Sequence, residues 1–293
     1  MKKGNALFHP SSFILHPLHS MKPCISQATT MPCSFADDVA NFADAGCPGM
    51  EVWLTKLEQH LEANSTSDTQ KLLADRGIEL AAAAYQGGLL LSQGDARRAH
   101  FDHFRKRLDI CQAFGIPTLL LIADFVDKID ETDLERAVVS LTQAAQWAAA
   151  SGVTLGLEFR AKNTFCASLD TAIALVDACP EPNVGVALDL FHYYTGPSKL
   201  EDFDLLPPGR LAHVQFCDVA GVARELATDA DRILPGDGDY RFAPILEALR
   251  RVGYDRWVSL ELMNPMLWQA NPKQVVEIGI TALRKILGQA TER

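Results

Sequence analysis

Eight short apolar segments alternate with stretches of helical periodicity, and this alternation limits the fold more than any other feature of the chain. Largely apolar strands are typical of a parallel sheet that is covered on its outer face. The predicted strands are KPCISQAT (22–29), GMEVWL (49–54), IELAAAAYQ (78–86), TLLLIADF (118–125), TLGLEF (154–159), VGVALDLF (184–191), LAHVQFCD (211–218) and WVSLEL (257–262). The predicted helices lie at 35–46, 96–115, 132–152, 168–178, 242–253 and 272–287.

Eight units of strand and helix predict an α/β fold in which a parallel sheet closes into one (β/α)8 TIM barrel. The length of 293 residues suits a single barrel, and an apolar content of 48% supplies its core. We expect residues 21–293 to form this one domain. Residues 1–20 contain no predicted strand and repeat His-Pro at 9–10 and 16–17. We therefore expect them to be a disordered tail or to reflect an over-called start codon.

The composition argues against several classes of partner. The chain has 37 acidic and 27 basic residues and a net charge of −10, which repels nucleic acids and anionic lipids. Its seven cysteines are scattered without a C-x-x-C pair, so neither a disulfide framework nor a zinc knuckle is predicted, and a reducing cytoplasm suits them. No apolar run reaches the roughly 18 residues that span a bilayer. A small molecule remains as the expected partner, and a homo-oligomer stays open.

Polar side chains stand near the carboxyl ends of four successive predicted strands. Barrels of this type place their catalytic groups at that end. Three carboxyl groups crowded in a dry site repel one another, and a divalent cation between them removes the repulsion. Oxygen ligands without thiolate favour Mn²⁺, Mg²⁺ or Co²⁺, with Zn²⁺ as an alternative. The four residues are Glu158, Asp189, Gln215 and Glu261.

The segments GLEFR, VGVALDLFHYY, LAHVQFCD, LPGDGDY and GYDRWVSLEL occur in this order. Together they resemble the xylose-isomerase-like barrel superfamily of sugar phosphate isomerases and epimerases, over roughly residues 22–287. The resemblance implies one catalytic divalent metal held by Glu158, Asp189, Gln215 and Glu261. Ketose 3-epimerases of that family have His at the third position, whereas hydroxypyruvate isomerases have Gln, as here.

The same resemblance implies further substrate contacts. The His three residues after the metal-binding Asp contacts substrate in the family, and this residue is His192. Ketose epimerases also use an Arg soon after the third ligand; the nearest here is Arg224, which is out of register with that pattern. The segment 223–240 is similar instead to the keto-inositol isomerase branch.

Glu158 and Glu261 are predicted to act as base and acid on either side of an enediolate. Return of the proton to the same carbon is epimerisation, return to the neighbouring carbon is isomerisation, and loss of a β-hydroxyl is dehydration. Gln86 and Lys162 lie on predicted rim loops and are weaker candidates for substrate contact.

Other residues have structural alternatives. Asp218 is expected to anchor a loop, with substrate contact as the alternative. His213 is expected to pack beside the metal ligands, and Glu51 to lie inside the barrel.

Four functions remain open from the sequence. The first is a metal-dependent isomerase or epimerase of a sugar or keto-polyol. The second is a lyase of the same superfamily, acting on an inosose or on 3-dehydroshikimate. A DNA-repair endonuclease on the same barrel requires three zinc ions and additional histidines, whereas strands 3 and 4 end in Tyr85-Gln86 and Asp124-Phe125. A metal-free binding protein is the fourth.

Overall fold

Eight parallel strands close into a barrel in which each strand pairs with its neighbours in sequence and the last pairs with the first. The computed structural model describes residues 21–124 and 128–289. The predicted (β/α)8 fold is confirmed, while the prediction for residues 1–20 lies outside the described residues. The strands are β1 (Lys22–Ser26), β2 (Gly49–Trp53), β3 (Glu79–Gln86), β4 (Thr118–Ile122), β5 (Thr154–Glu158), β6 (Val184–Asp189), β7 (Leu211–Phe216) and β8 (Trp257–Leu260).

Helices cover the outside of the barrel. They are α1 (Phe35–Asp44), α2 (Leu54–Leu61), α3 (Thr66–Arg76), α4 (Gly94–Phe114), α5 (Glu131–Ala150), α6 (Leu169–Ala178), α7 (Leu190–Thr195), α8 (Phe242–Arg251) and α9 (Pro272–Ile286). The sequence did not predict α2, α3 or α7. The signal for α3 was present, because the Ser65 side chain accepts a hydrogen bond from the Asp68 N–H and Gly77 ends the helix in the left-handed conformation. None of the described helices is both long and apolar enough to cross a bilayer.

Several strands end earlier than predicted, for local reasons. The prediction carried β6 through Phe191, but the Asp189 carboxylate accepts the Phe191 N–H at 2.8 Å and so begins α7. The prediction carried β1 through Thr29, but a 3-10 helix begins at Gln27, after Ser26 has capped it. At the carboxyl end of the barrel, β1, β2 and β6 therefore continue directly into helical turns.

Small side chains fill the barrel interior near this end. Ala84, Leu120 and Ala187 pack together against Trp53. Gly156 lies beside them, and a Cβ there would approach Leu120 to 3.2 Å and Ala187 to 3.3 Å. Because Ala84, Gly156 and Ala187 have little or no side chain, the carboxyl end of the barrel retains room for a small molecule.

Candidate active site

The fold brings the four predicted metal ligands to one end of the barrel. Glu158 and Asp189 are the last residues of β5 and β6, Gln215 lies one residue before the end of β7, and Glu261 directly follows β8. In the sheet, Asp189 pairs with Gln215, which pairs in turn with Ser259. Each of the four residues is at most 6% exposed. Their role as ligands stays a prediction.

A cavity of about 290 Å³ opens among these residues. Glu158, Gln215 and Glu261 contribute polar groups to its lining. Trp53 and Tyr85 also line it, with their rings in an edge-to-face contact at 5.2 Å. A polar floor with an aromatic wall suits a polyol, whose hydroxyl groups need hydrogen bonds and whose C–H groups pack on rings.

Arg232, which no pattern in the sequence singles out, is a buried cation of this site, and Arg160 also lines the cavity. Its guanidinium is 1% exposed and lies over the Phe191 ring at 4.5 Å. Nη1 contacts Asp189 Oδ1 at 3.2 Å and Glu261 Oε2 at 3.1 Å, while Nη2 contacts Asp189 Oδ2 at 2.7 Å. Asp229 accepts from Nη2 at 2.7 Å and from Nε at 3.0 Å. Through these contacts, Arg232 links the predicted ligands Asp189 and Glu261.

The two glutamates of the site hold protons unusually tightly. Burial raises the pKa of Glu158 to about 7, although nearby Arg160 opposes the rise and Asp189 adds to it. Burial also raises the pKa of Glu261 well above its usual value, against the opposing charge of Arg232. A carboxyl group that exchanges its proton near neutral pH is suited to general acid or base work.

His192 lies between two of the predicted ligands. Its Nε2 is 3.6 Å from both Glu158 Oε1 and Asp189 Oδ2, and neither ring nitrogen has a hydrogen-bond partner among the described residues. Burial, with Arg160 and Arg232 nearby, lowers the pKa of His192 well below its usual value. The ring is therefore neutral, and its contact with a substrate stays a prediction.

A buried carboxylate inside the barrel contacts the polar face of β7. Glu51 on β2 accepts from His213 Nε2 at 2.7 Å and from Gln215 Nε2 at 3.0 Å. All three side chains are almost completely buried. The polar face of β7 is thus paired with Glu51, in agreement with the expectation that His213 packs beside a ligand and Glu51 lies in the interior.

Asp218 anchors the loop that carries Arg232. Its carboxylate accepts backbone N–H groups from Val219, Gly236, Gly238 and Tyr240 at 2.9 to 3.0 Å. Backbone hydrogen bonds also join Asp218 to Ile233 in both directions. These hydrogen bonds support the expected role of Asp218 as a loop anchor.

The three remaining candidates, Arg224, Lys162 and Gln86, are not among the described residues that line the cavity. The Arg224 side chain is 62% exposed and pairs with Glu225 on the surface, so its contact with a substrate stays a prediction that these contacts do not support. Lys162 Nζ donates to the Ala227 carbonyl at 2.6 Å, so it ties two rim loops together. Gln86 is buried and donates to the neighbouring Gly87 carbonyl at 2.7 Å.

The described residues fit a divalent cation. Gln215 Oε1 is buried without a hydrogen-bond partner among them, as a ligand oxygen would be. Glu51, Glu158, Asp189 and Glu261 place four buried carboxyl groups near one fully buried guanidinium. Ligand atoms of Glu158, Asp189 and His192 all lie within 4.8 Å of one another, so His192 is a further candidate donor. Glu261 is not part of this group, and its carboxylate accepts a hydrogen bond from Arg232.

Comparison with known proteins agrees with this architecture. A family profile described as xylose isomerase-like TIM barrel matches residues 39–286. An inosose isomerase of Halalkalibacterium halodurans is 24% identical over 268 residues, which cover 88% of this chain and 93% of that protein. A 3-dehydroshikimate dehydratase of Pseudomonas aeruginosa is 24% identical over 243 residues, which cover 82% of this chain and 37% of that protein.

A similar solved structure is that of an IOLI protein with a bound zinc atom. It superposes with a TM-score of 0.87 and 21% identity, covering 93% of this chain and 100% of the other. At this identity the similarity concerns the fold.

Proposed function

Because the chain belongs to the xylose isomerase-like TIM barrel family, we propose that it is a divalent-metal-dependent isomerase or epimerase of a keto-polyol or ketose. The observation that carries this proposal is the pair of buried glutamates, Glu158 and Glu261, at the cavity beside oxygen donors on two intervening strands. The similarity to inosose isomerase supports a cyclic keto-polyol as the first substrate to test.

The ion would be held by Glu158, Asp189, Gln215 and Glu261, with Mn²⁺, Mg²⁺ or Co²⁺ favoured and Zn²⁺ as an alternative. Bound there, it would polarise a substrate carbonyl and lower the energy of the enediolate.

The protein residues supply the proton transfers. Glu158 ends β5 and Glu261 directly follows β8, with two strands between them, so a substrate in the cavity meets a carboxyl group on each side. One takes a proton from the carbon next to the carbonyl, and one returns a proton to the same or the neighbouring carbon. His192, held neutral, binds a substrate hydroxyl group and orients the reacting carbons.

The cations of the site already have partners within the protein, which favours an uncharged substrate. A guanidinium has five N–H donors, and those of Arg232 are directed at Asp189, Glu261 and Asp229. Lys162 is likewise engaged by a backbone carbonyl. Arg160, which lines the cavity, lies 3.4 Å from Glu158. Because these three cations have partners within the protein, a neutral keto-polyol is favoured over 3-dehydroshikimate, whose carboxylate would compete for them.

The decisive experiment incubates the Mn²⁺-loaded protein with a panel of inososes and ketoses in D₂O and follows the products by mass and proton NMR. We expect a product of unchanged formula that carries deuterium at the deprotonated carbon or its neighbour. Chelation should abolish this turnover, and Mn²⁺, Co²⁺ or Mg²⁺ should restore it. A product lighter by one water would identify the protein as a dehydratase instead. Full turnover by exhaustively metal-stripped protein would exclude the proposed mechanism.

Substitution of the two glutamates tests their role directly. Glu158→Gln and Glu261→Gln each keep an oxygen for the metal but remove the base, so we expect turnover to fall by about 10² or more. Metal content is measured on the same samples, because a lost ion would also lower the rate. Glu247→Gln, on the outer surface of α8, is the matched control and should behave as wild type. Near-normal turnover by both active-site variants with metal still bound would rule out this assignment.

A further inference from the structure

Glu51 lies on the far side of the barrel interior from the strand whose side chains it contacts. It belongs to β2, whereas His213 and Gln215 belong to β7. Its side chain is fully buried, and each carboxylate oxygen accepts one hydrogen bond: Oε2 from His213 and Oε1 from Gln215. Glu51 itself does not line the cavity, but it contacts Gln215, which does.

The contact with Gln215 determines how that amide is turned. A glutamine amide has a donor end and an acceptor end, and only the nitrogen can donate to a carboxylate. The Gln215 nitrogen lies 3.0 Å from Glu51, so the oxygen points away from Glu51. That oxygen is buried and has no hydrogen-bond partner among the described residues, and Gln215 lines the cavity. An amide turned the other way would set two oxygens against each other.

Orientation matters more for an amide ligand than for a carboxylate. A carboxylate offers an oxygen whichever way it is turned, whereas an amide turned by 180° would present N–H groups to the cation. Groups that orient a ligand from behind commonly change metal affinity by about 10- to 100-fold when they are removed.

We infer that Glu51 is a positioning residue that keeps the Gln215 amide oxygen turned toward the divalent ion, an inference that rests on the proposed metal site. His213 supports this arrangement by holding the second oxygen of Glu51. With both oxygens engaged, Glu51 acts through Gln215 and is not itself a ligand.

The test is a double-mutant cycle read by metal affinity. Mn²⁺ is titrated calorimetrically into metal-stripped full-length wild type, Glu51→Gln, Gln215→Glu and the double variant. Melting temperatures of the same samples check that each is folded. In the Gln215 background, Glu51→Gln should weaken Mn²⁺ binding by about 10- to 100-fold, because the glutamine at 51 no longer selects one orientation of the amide. In the Gln215→Glu background the same change should alter affinity by less than about threefold or strengthen it, because orientation no longer matters and a like charge is removed.

A role for Glu51 that does not act through the amide would give a different result. If Glu51 attracted the cation only by its charge, or only supported the fold, its loss would weaken binding equally in both backgrounds, and this outcome overturns the inference alone. Wild-type protein that binds no Mn²⁺ overturns the inference together with the proposed function. Glu51→Asp is the second variant if Glu51→Gln does not fold. It retains the charge but is one methylene shorter, and it should also weaken binding in the Gln215 background; unchanged affinity there overturns the inference.

Discussion

Removal of the Glu158 charge should stabilise the metal-free protein, even though we expect it to lower turnover. The pKa of this carboxyl group is about 7 in the folded chain against 4.5 without the fold. A difference of about 2.5 at 1.36 kcal/mol per pKa unit gives about 3 kcal/mol. Because the folded pKa is the higher one, this loss of stability is absent below pH 4.5 and complete only above pH 7. Glu158→Gln lacks the titrating group and so escapes the loss.

The assay is urea unfolding of chelator-treated wild type and Glu158→Gln. The variant should be more stable by about 3 kcal/mol at pH 8, and by about 1 kcal/mol at pH 5.5, where the folded carboxyl group is still protonated. Saturating Mn²⁺ should reduce or reverse the difference, because the ion binds the wild-type site more tightly. An equal gain in stability at both pH values would show that the gain does not come from ionisation of Glu158. No gain at pH 8 would show that folding does not raise the pKa of Glu158. Either result would refute the reasoning.

Three further outcomes are expected. Arg232→Met should destabilise the metal-free protein by about 3 to 5 kcal/mol in urea unfolding, because it leaves the carboxylates of Asp189 and Glu261 buried without their cation; a loss below about 1 kcal/mol would contradict this. Asp218→Ala should lower stability by about 3 kcal/mol by the same measurement, because four backbone N–H groups lose their acceptor, and wild-type stability would show that water replaces it. A chain that begins at Met21 should melt within about 2 °C of the full chain in calorimetry; a large fall would show that residues 1–20 pack on the barrel.

The strands and the predicted ligands could be recognised from the sequence because both follow from short-range patterns. Apolar runs locate the eight strands, and a polar residue near the end of each of four strands must face the same end of a parallel barrel. Helix α3 was missed because polar residues dominate 66–76 and the helical period is weak there, although Ser65 and Gly77 marked its ends. Helix α2 was missed because the prediction placed Leu54 in β2, although Leu54, Leu57 and Leu61 repeat at helical spacing.

The contacts that define the site are of longer range. Arg232 reaches Asp189 and Glu261 only because the loop after β7 folds back over the barrel, and no local pattern distinguishes it from Arg224. Glu51 and His213 are 162 positions apart, so their hydrogen bond is a property of the closed barrel. The sequence could name the polar side chains but not their pairing.

The bridge between Asp218 and Ile233 bears on how the rim of this barrel could be re-engineered. It closes the base of the loop 219–232, so the two ends of the loop stay fixed when residues in its outer part are changed. Gly238 belongs to the fixed part, because a Cβ there would lie only 2.3 Å from the Asp218 carboxylate. A library that randomises 220–228 while keeping Asp229, Arg232 and the Pro235–Tyr240 turn would sample new rim shapes above an intact site.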